Sequence, residues 1–288
     1  MIDATNTALI LEGGGTRNAY TAPALMKLVD EGVKFGWVGG VSAGAVHAAN
    51  FVAGDTQRIE ENFTTFMGHP KIGGLRSLAF GSGLLNAEFL FEQSGDVLPF
   101  DWEAFESNPV PVHIEAVDAN TGETRVFTRE HLTSEAEVRS ILRASSTIPM
   151  IMPMKYIDGN PYVDGALGDS GGIVLKAAQE AGFDKFLILA TRPRDYVREP
   201  VNRPAMIRRM FPKYPGVAQR QIDRPELYNS VKAEIFDLEE QGKAYTFWPE
   251  KMTVESTELK VAKLQRCFNE GKDQLEREWE DIRAFLEG

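Results

Sequence analysis

The chain has 288 residues, 43% hydrophobic and 25% charged, ordinary for a soluble globular protein with enough apolar material for a core. A formal charge of −11 disfavours nucleic acid, whose phosphates demand a basic footprint, and strong overall attraction to anionic lipid. Cys267 is the only cysteine, which excludes an internal disulfide and a cysteine metal cluster; with no secretory signal in Met1–Asn6 and no apolar run near the ~20 residues of a membrane span, the expected setting is reducing and cytoplasmic.

Ala8–Leu11 (ALIL) is a short apolar run ending at Glu12 and three glycines, and predicts a buried strand entering a tight loop. From Ala19 to Glu31, the residues Ala22, Leu25, Met26, Leu28 and Val29 recur at helical spacing, with Gly32 as a stop. Phe35–Val41 predicts a second buried strand, and the alanine-rich Ala43–Ala53 a helix starting directly at its end. Strand, glycine loop, helix, strand, sharp turn and helix open a parallel α/β sheet.

Residues 68–83 are rich in glycine and serine and predict a loop or lid. Pro109–Ala116 and Thr124–Thr128 predict strands around the turn Asn120-Thr121-Gly122. Ser134–Ala144 fits a helix with Ser134 as N-cap and Glu137 at the capping-box position. Lys155–Val163 predicts a hairpin turning at Asp158-Gly159-Asn160, Gly172–Gly182 a helix and Phe186–Ala190 a strand.

After Thr191 the texture changes. Proline and arginine dominate to about Pro225, and a charged helical pattern follows to Glu287. The expected division is therefore an α/β domain over 1–191, and an Arg/Pro-rich segment with C-terminal helices over 192–288, packed on or beside it. Arg192, Arg194, Arg198, Arg203, Arg208, Arg209, Lys213, Arg220 and Arg224 crowd 192–224 against only Asp195, Glu199 and Asp223. Beside Met206, Ile207, Met210 and Phe211, they suit transient contact with a membrane surface. The other reading pairs them with the acidic C-terminal helices. The C-terminal helices suit either packing on the main domain or self-association, and the sequence leaves the oligomeric state open.

Gly40-Val41-Ser42-Ala43-Gly44 is a G-x-S-x-G pentapeptide. Its chemistry is a strand-to-helix turn so sharp that the apex serine is strained and exposed at the carboxyl edge of the sheet. The glycines remove Cβ atoms that would collide there, and the following helix N-terminus favours developing negative charge. A bare match occurs in many structural turns; this one sits where a predicted strand meets a predicted helix.

Gly13-Gly14-Gly15-Thr16-Arg17 follows the first strand. Its spacing is neither G-x-x-x-x-G-K-[ST] nor G-x-G-x-x-G, so nucleotide loops fail. A tight β–α connection and an oxyanion hole remain, the latter built from backbone N–H groups beside the nucleophile strand.

A serine hydroxyl needs a proton acceptor. The histidines are His47, His69, His113 and His131, and none follows His131, which argues against the Ser…Asp…His order of the common α/β hydrolases. Asp164-Gly165 is the better source, since an aspartate at a strand end followed by glycine can approach a serine closely. Sequence chemistry alone does not separate it from the turn pair Asp158-Gly159.

Three blocks in order resemble the patatin-like phospholipases. They are Glu12–Arg17, Gly40–Gly44, and Ala144-Ser145-Ser146-Thr147-Ile148-Pro149 continuing to Tyr162-Val163-Asp164-Gly165-Ala166. The resemblance covers about residues 8–190. It implies a three-layer α/β/α fold with a mainly parallel sheet, extended here by C-terminal helices. It also implies a Ser42–Asp164 dyad with no histidine, and oxyanion stabilisation by Gly13, Gly14 and Gly15 with help from Arg17. Asp158 is left to the hairpin. Where the family loop has glycine after its basic residue, this chain has Asn18, which tolerates left-handed backbone better than most residues.

The implied activity is hydrolysis of lipid carboxylic esters through an acyl-enzyme, of phospholipase A or lysophospholipase type, without metal or cofactor. The rivals are acyl transfer or thioester hydrolysis by the same dyad, and a catalytically silent lipid-binding protein.

Overall fold

The structure is a computed structural model that describes residues 1–73 and 85–288. Most of the loop or lid expected at 68–83 lies outside the described residues.

Eight described strands form one sheet. β1 (Asp3–Leu11), β2 (Lys34–Val41), β3 (Val112–Asp118), β4 (Thr124–Thr128), β5 (Lys155–Ile157), β6 (Asn160–Asp164), β7 (Phe186–Leu189) and β8 (Ala244–Phe247) follow in chain order. β8, β7, β1, β2 and β3 lie side by side and parallel. The described helices are α1 (Ala22–Asp30), α2 (Ala43–Val52), α3 (Thr56–Glu61), α4 (Trp102–Ser107), α5 (Glu135–Ser145), α6 (Leu175–Glu180), α7 (Pro204–Met210), α8 (Pro215–Glu240) and α9 (Val261–Glu287).

Side chains alternate across β1. Leu9 and Leu11 join one core with Leu25 and Leu28 of α1, Ala45 and Ala48 of α2, and Leu264 and Phe268 of α9. Ala8 and Ile10 join another with Ala178 of α6 and with Tyr228 and Ile235 of α8. Helices thus cover both faces, giving three layers, α/β/α. A strand segment covered on both faces has no polar side, so Ala8–Leu11 of β1 reads in sequence as an unbroken apolar run.

The β3 edge positions the site. β4 pairs antiparallel with His113–Val117 and so occupies one edge of β3. β2, paired with Val112–Glu115, and β6, paired antiparallel with Ala116–Asp118, must share the other. β2 ends at Val41, opposite Glu115, and β6, running the other way, ends at Asp164, opposite Ala116. The two strands stop head-on, so the residue that follows β2, Ser42, meets the last residue of β6.

The β5–β6 hairpin turns on Asp158 and Gly159, with φ of 51° and 80°. Two consecutive positive φ values define a type I′ turn, and Asp158 stands exposed at its tip. Ser134 caps α5 as expected, its Oγ accepting the Glu137 N–H at 3.3 Å. The returning bond differs from a capping box: the Glu137 carboxylate takes the Thr133 N–H at 3.1 Å.

The C-terminal third departs from expectation in two places. α8 runs through Pro225, although a proline inside a helix costs about 3 kcal/mol. Burial of Val217, Ala218, Pro225, Tyr228 and Ile235 outweighs it. The charged pattern is also broken by β8, which pairs parallel with β7, so residues 192–288 supply a strand to the main sheet.

Candidate active site

Ser42 has φ 56° and ψ −127°, a conformation that side chains rarely adopt. Its neighbours show why the turn can be so tight. A Cβ on Gly40 would lie 2.4 Å from the Gly44 carbonyl oxygen, and one on Gly44 would lie 2.1 Å from that of Leu11. The Ser42 N–H donates to Ser145 Oγ at the end of α5, at 2.8 Å. This anchors the turn from a residue to which sequence analysis assigned no role.

Ser42 Oγ donates to Asp164 Oδ2 at 2.7 Å. Asp164 Oδ1 accepts the Ala166 N–H at 2.9 Å, which fixes the carboxylate. Gly165 sits so close to β3 that a Cβ would fall 2.0 Å from the Glu115 carbonyl oxygen. Burial pushes the Asp164 carboxyl above its ordinary range, while Arg224 and the hydrogen bonds from Ser42 and Ala166 act in the opposite direction. A carboxylate raised in this way is a stronger proton acceptor than one in water.

Among the described residues no histidine hydrogen-bonds Ser42 or Asp164. His113 pairs with Glu115 at 3.0 Å, His69 stacks on Phe89, and His131 Nδ1 accepts the Thr128 N–H. His47 is fully buried against Phe63, with Nε2 3.0 Å from the carbonyl oxygen of Asn18. It acts as a tether for the glycine loop. Burial pushes its imidazole down to about 4 from an ordinary 6.5. The unfolded chain therefore binds the proton first. Stability from neutral His47 is fully present above about pH 6.5 and is lost as pH falls through about 4, on the order of 3 kcal/mol. His47→Gln should flatten the fall in melting temperature over this range; a variant as acid-sensitive as the wild type would show that the loss arises elsewhere.

The glycine loop sorts its three expected donors. The Gly13 N–H is committed to the Gly172 carbonyl at 3.1 Å, and a Gly13 Cβ would crowd the Val41 carbonyl oxygen at 2.9 Å. The Gly14 and Gly15 N–H groups, and that of Ala43 after Ser42, donate to no described residue. Gly15 takes the left-handed φ of 56° while its missing Cβ makes room for the Ser256 carbonyl. Asn18 does not use the left-handed freedom expected of it: it lies in a 3₁₀ turn, with its side-chain amide donating to the Gly15 carbonyl at 3.2 Å.

The C-terminal region braces this loop. The Thr16 N–H donates to the Ser256 carbonyl at 3.0 Å, and Gly271 of α9 lets the Tyr20 backbone approach closely. On the other side, Glu12 accepts the Thr191 N–H at 2.5 Å, and Thr191 Oγ1 donates to the Gly13 carbonyl at 3.2 Å.

Two cavities meet at Ser42. One is apolar, lined by Val46, Phe63, Phe66, Leu142 and Met152. The other, about 240 Å³, holds Asp164, the glycine loop and the guanidinium groups of Arg17, Arg192, Arg198 and Arg224. Burial first, then neighbouring arginines, push Arg17 and Arg224 down to about 10.

The basic stretch 192–224 is thereby divided. Arg192, Arg198 and Arg224 join the site, Arg194 pairs with Glu239 of α8, and Arg220 pairs with Asp169 at 2.6 Å. On α7 and just beyond it, Phe211 is buried and Ile207 packs inward, leaving Met206 and Met210 exposed beside Arg208 and Arg209. No described helix is long and apolar enough to cross a membrane.

The sequence profile of the patatin-like phospholipase family matches residues 9–174. A domain of unknown function, DUF6363, matches residues 214–287. A search of curated proteins finds no match. Among solved structures, VipD from Legionella pneumophila superposes with a TM-score of 0.52 at 11% identity, over 94% of this chain and 66% of that one. The chain thus spans slightly less than two thirds of the length of VipD, and the likeness is one of fold. The family match covers more than half of the chain and both the serine turn and Asp164, so the chain belongs to the patatin-like phospholipase family.

Proposed function

We propose that the protein is a serine hydrolase for carboxylic esters of lipids, of phospholipase A or lysophospholipase type, working through a Ser42–Asp164 dyad. The observation that carries this reading is the 2.7 Å hydrogen bond from Ser42 Oγ to Asp164 Oδ2, at a strained turn with no histidine beside it.

The acyl chain enters the apolar cavity and its ester carbonyl comes to rest at Ser42. Asp164 takes the hydroxyl proton as Ser42 Oγ attacks. The uncommitted N–H groups of Gly14, Gly15 and Ala43 receive the oxyanion, and the proton passes from Asp164 to the departing alcohol. Water then attacks the acyl-enzyme, Asp164 accepting its proton, and the fatty acid leaves. Gly13 serves the site by allowing close packing. Each oxyanion donor contributes on the order of 100- to 1000-fold in kcat.

A fluorophosphonate should add its mass to the peptide containing Ser42, and Ser42→Ala should abolish the adduct. A folded wild type that takes no label and releases no fatty acid from any ester would overturn the reading in favour of a silent lipid-binding protein.

A further inference from the structure

Four guanidinium groups converge on the polar cavity from three parts of the chain. Arg17 comes from the turn after β1, Arg192 and Arg198 from the segment after β7, and Arg224 from α8. Among the described residues, none makes a hydrogen bond or ion pair through its guanidinium, and the Nε of each is enclosed without a partner. Arg17 is only 4% exposed. The other three are partly buried, and holding like charges together, partly out of water and without hydrogen-bonded partners, is unfavourable unless an anion joins them.

The charges nearest to these arginines narrow the ligand. Two carboxylates, Glu12 and Asp164, interact with the cluster, and both are engaged, by Thr191 and by Ser42 and Ala166 respectively. With both ionised, two positive charges remain uncompensated. The aromatic faces are taken as well: Arg192 lies 4.4 Å from the Tyr196 ring centre, and Arg198 lies 4.9 Å from that of Tyr228. Among the described residues that line the cavity, no open ring and no uncommitted acid is left to receive a quaternary or primary ammonium.

We propose that this cavity binds a dianionic phosphate monoester directly beside Ser42. Planar guanidiniums match phosphate oxygens two at a time, and four of them around one space suit a group carrying two negative charges. On the proposed reading of Ser42 as nucleophile, on which the assignment of the headgroup rests, the two cavities divide one substrate. The acyl chain lies in the apolar cavity and the phosphate among the arginines, so the preferred lipid ends in a bare phosphate. A zwitterionic headgroup would bring its ammonium against the arginines.

Full-length protein tests this with dioleoyl phosphatidic acid and dioleoyl phosphatidylcholine in identical mixed micelles, with p-nitrophenyl butyrate as a neutral ester and with calorimetric binding of inorganic phosphate. The expected result is a kcat/KM for phosphatidic acid about 10- to 100-fold above that for phosphatidylcholine. Arg198→Gln, and independently Arg192→Gln should Arg198 prove essential to folding, should lower kcat/KM for phosphatidic acid about 10-fold more than for the neutral ester, mainly through KM. Both should weaken phosphate binding. Phosphate binding that depends on these arginines, with both lipids cleaved alike, would assign the site to a free phosphate compound. Arginine-dependent phosphate binding with no ester cleaved and no fluorophosphonate label would keep the anion site and remove the dyad reading. Equal cleavage of both lipids, with phosphate binding absent or indifferent to both variants, would overturn the proposal.

Discussion

Asp164→Asn is expected to cut turnover about 10⁴-fold while raising the melting temperature at neutral pH. Asparagine has the same shape and can still accept the Ala166 N–H, but it cannot take a proton from Ser42. The gain in stability follows from burial, the largest influence on the carboxyl, which raises it above its ordinary 3.8. The native state holds the proton more tightly than the unfolded chain does. Stability contributed by the protonated carboxyl is therefore fully present below about 3.8 and is lost as pH rises through the raised value. As the base of the proposed mechanism Asp164 is ionised at neutral pH, and there the wild type bears a buried charge that the amide does not. The gap in melting temperature should be widest near neutrality and close in acid, where Asp164 is protonated. Wild-type activity should fall over the same acid range, because the protonated carboxyl cannot act as base. Full activity in the variant would remove Asp164 from the mechanism. A lower melting temperature at neutral pH would mean that attraction to Arg224 outweighs the penalty of burial.

The sequence made the frame of the site legible because its signals are local. ALIL followed by Glu12 and three glycines, and a serine between glycines at a strand-to-helix junction, are short patterns read from adjacent residues, and β1, β2 and α2 lie within a residue or so of expectation at the ends that build the site. What was not legible depends on direction. Three consecutive glycines look alike in sequence, yet one N–H points to Gly172 and two donate to no described residue. The arginines of 192–224 stand out by number, but an irregular segment has no period from which to read a face. Arg194 reaches Glu239 while Arg192 and Arg198, a few residues away on either side, turn towards Ser42. β8 is a short aromatic run between Gly242 and Pro249, a strand signal masked by the charged helical pattern on either side, and its pairing with β7 makes it part of the sheet. Ser145 lies within a block that sequence marked, but its bond to the Ser42 N–H exists because α5 ends against the serine turn.

The two Asp-Gly pairs, alike in sequence, should respond oppositely to the same substitution. In Gly159→Ala the added methyl group meets nothing within 4 Å, and only the positive φ of 80° opposes it. The expected cost is about 1 kcal/mol in the hairpin, with turnover unchanged. Gly165→Ala has no such freedom. Its methyl group would lie 2.0 Å from the Glu115 carbonyl oxygen and 3.2 Å from Val41 Cγ2, at the point where β2 and β6 end against each other along β3. Neither neighbour is a flexible side-chain tip, so β6 must move away from β3 and take Asp164 with it. Overpacking of this kind costs about 1–3 kcal/mol. A displacement near 1 Å at a catalytic pair costs about 100-fold in rate. Hydrolysis of p-nitrophenyl butyrate, measured beside urea unfolding of both variants, separates the two positions. Wild-type turnover in Gly165→Ala would mean that the glycine is not what brings Asp164 to Ser42. A rate loss confined to that variant would locate the function of the second pair in the close approach of two strand ends, a property that the dipeptide itself does not encode.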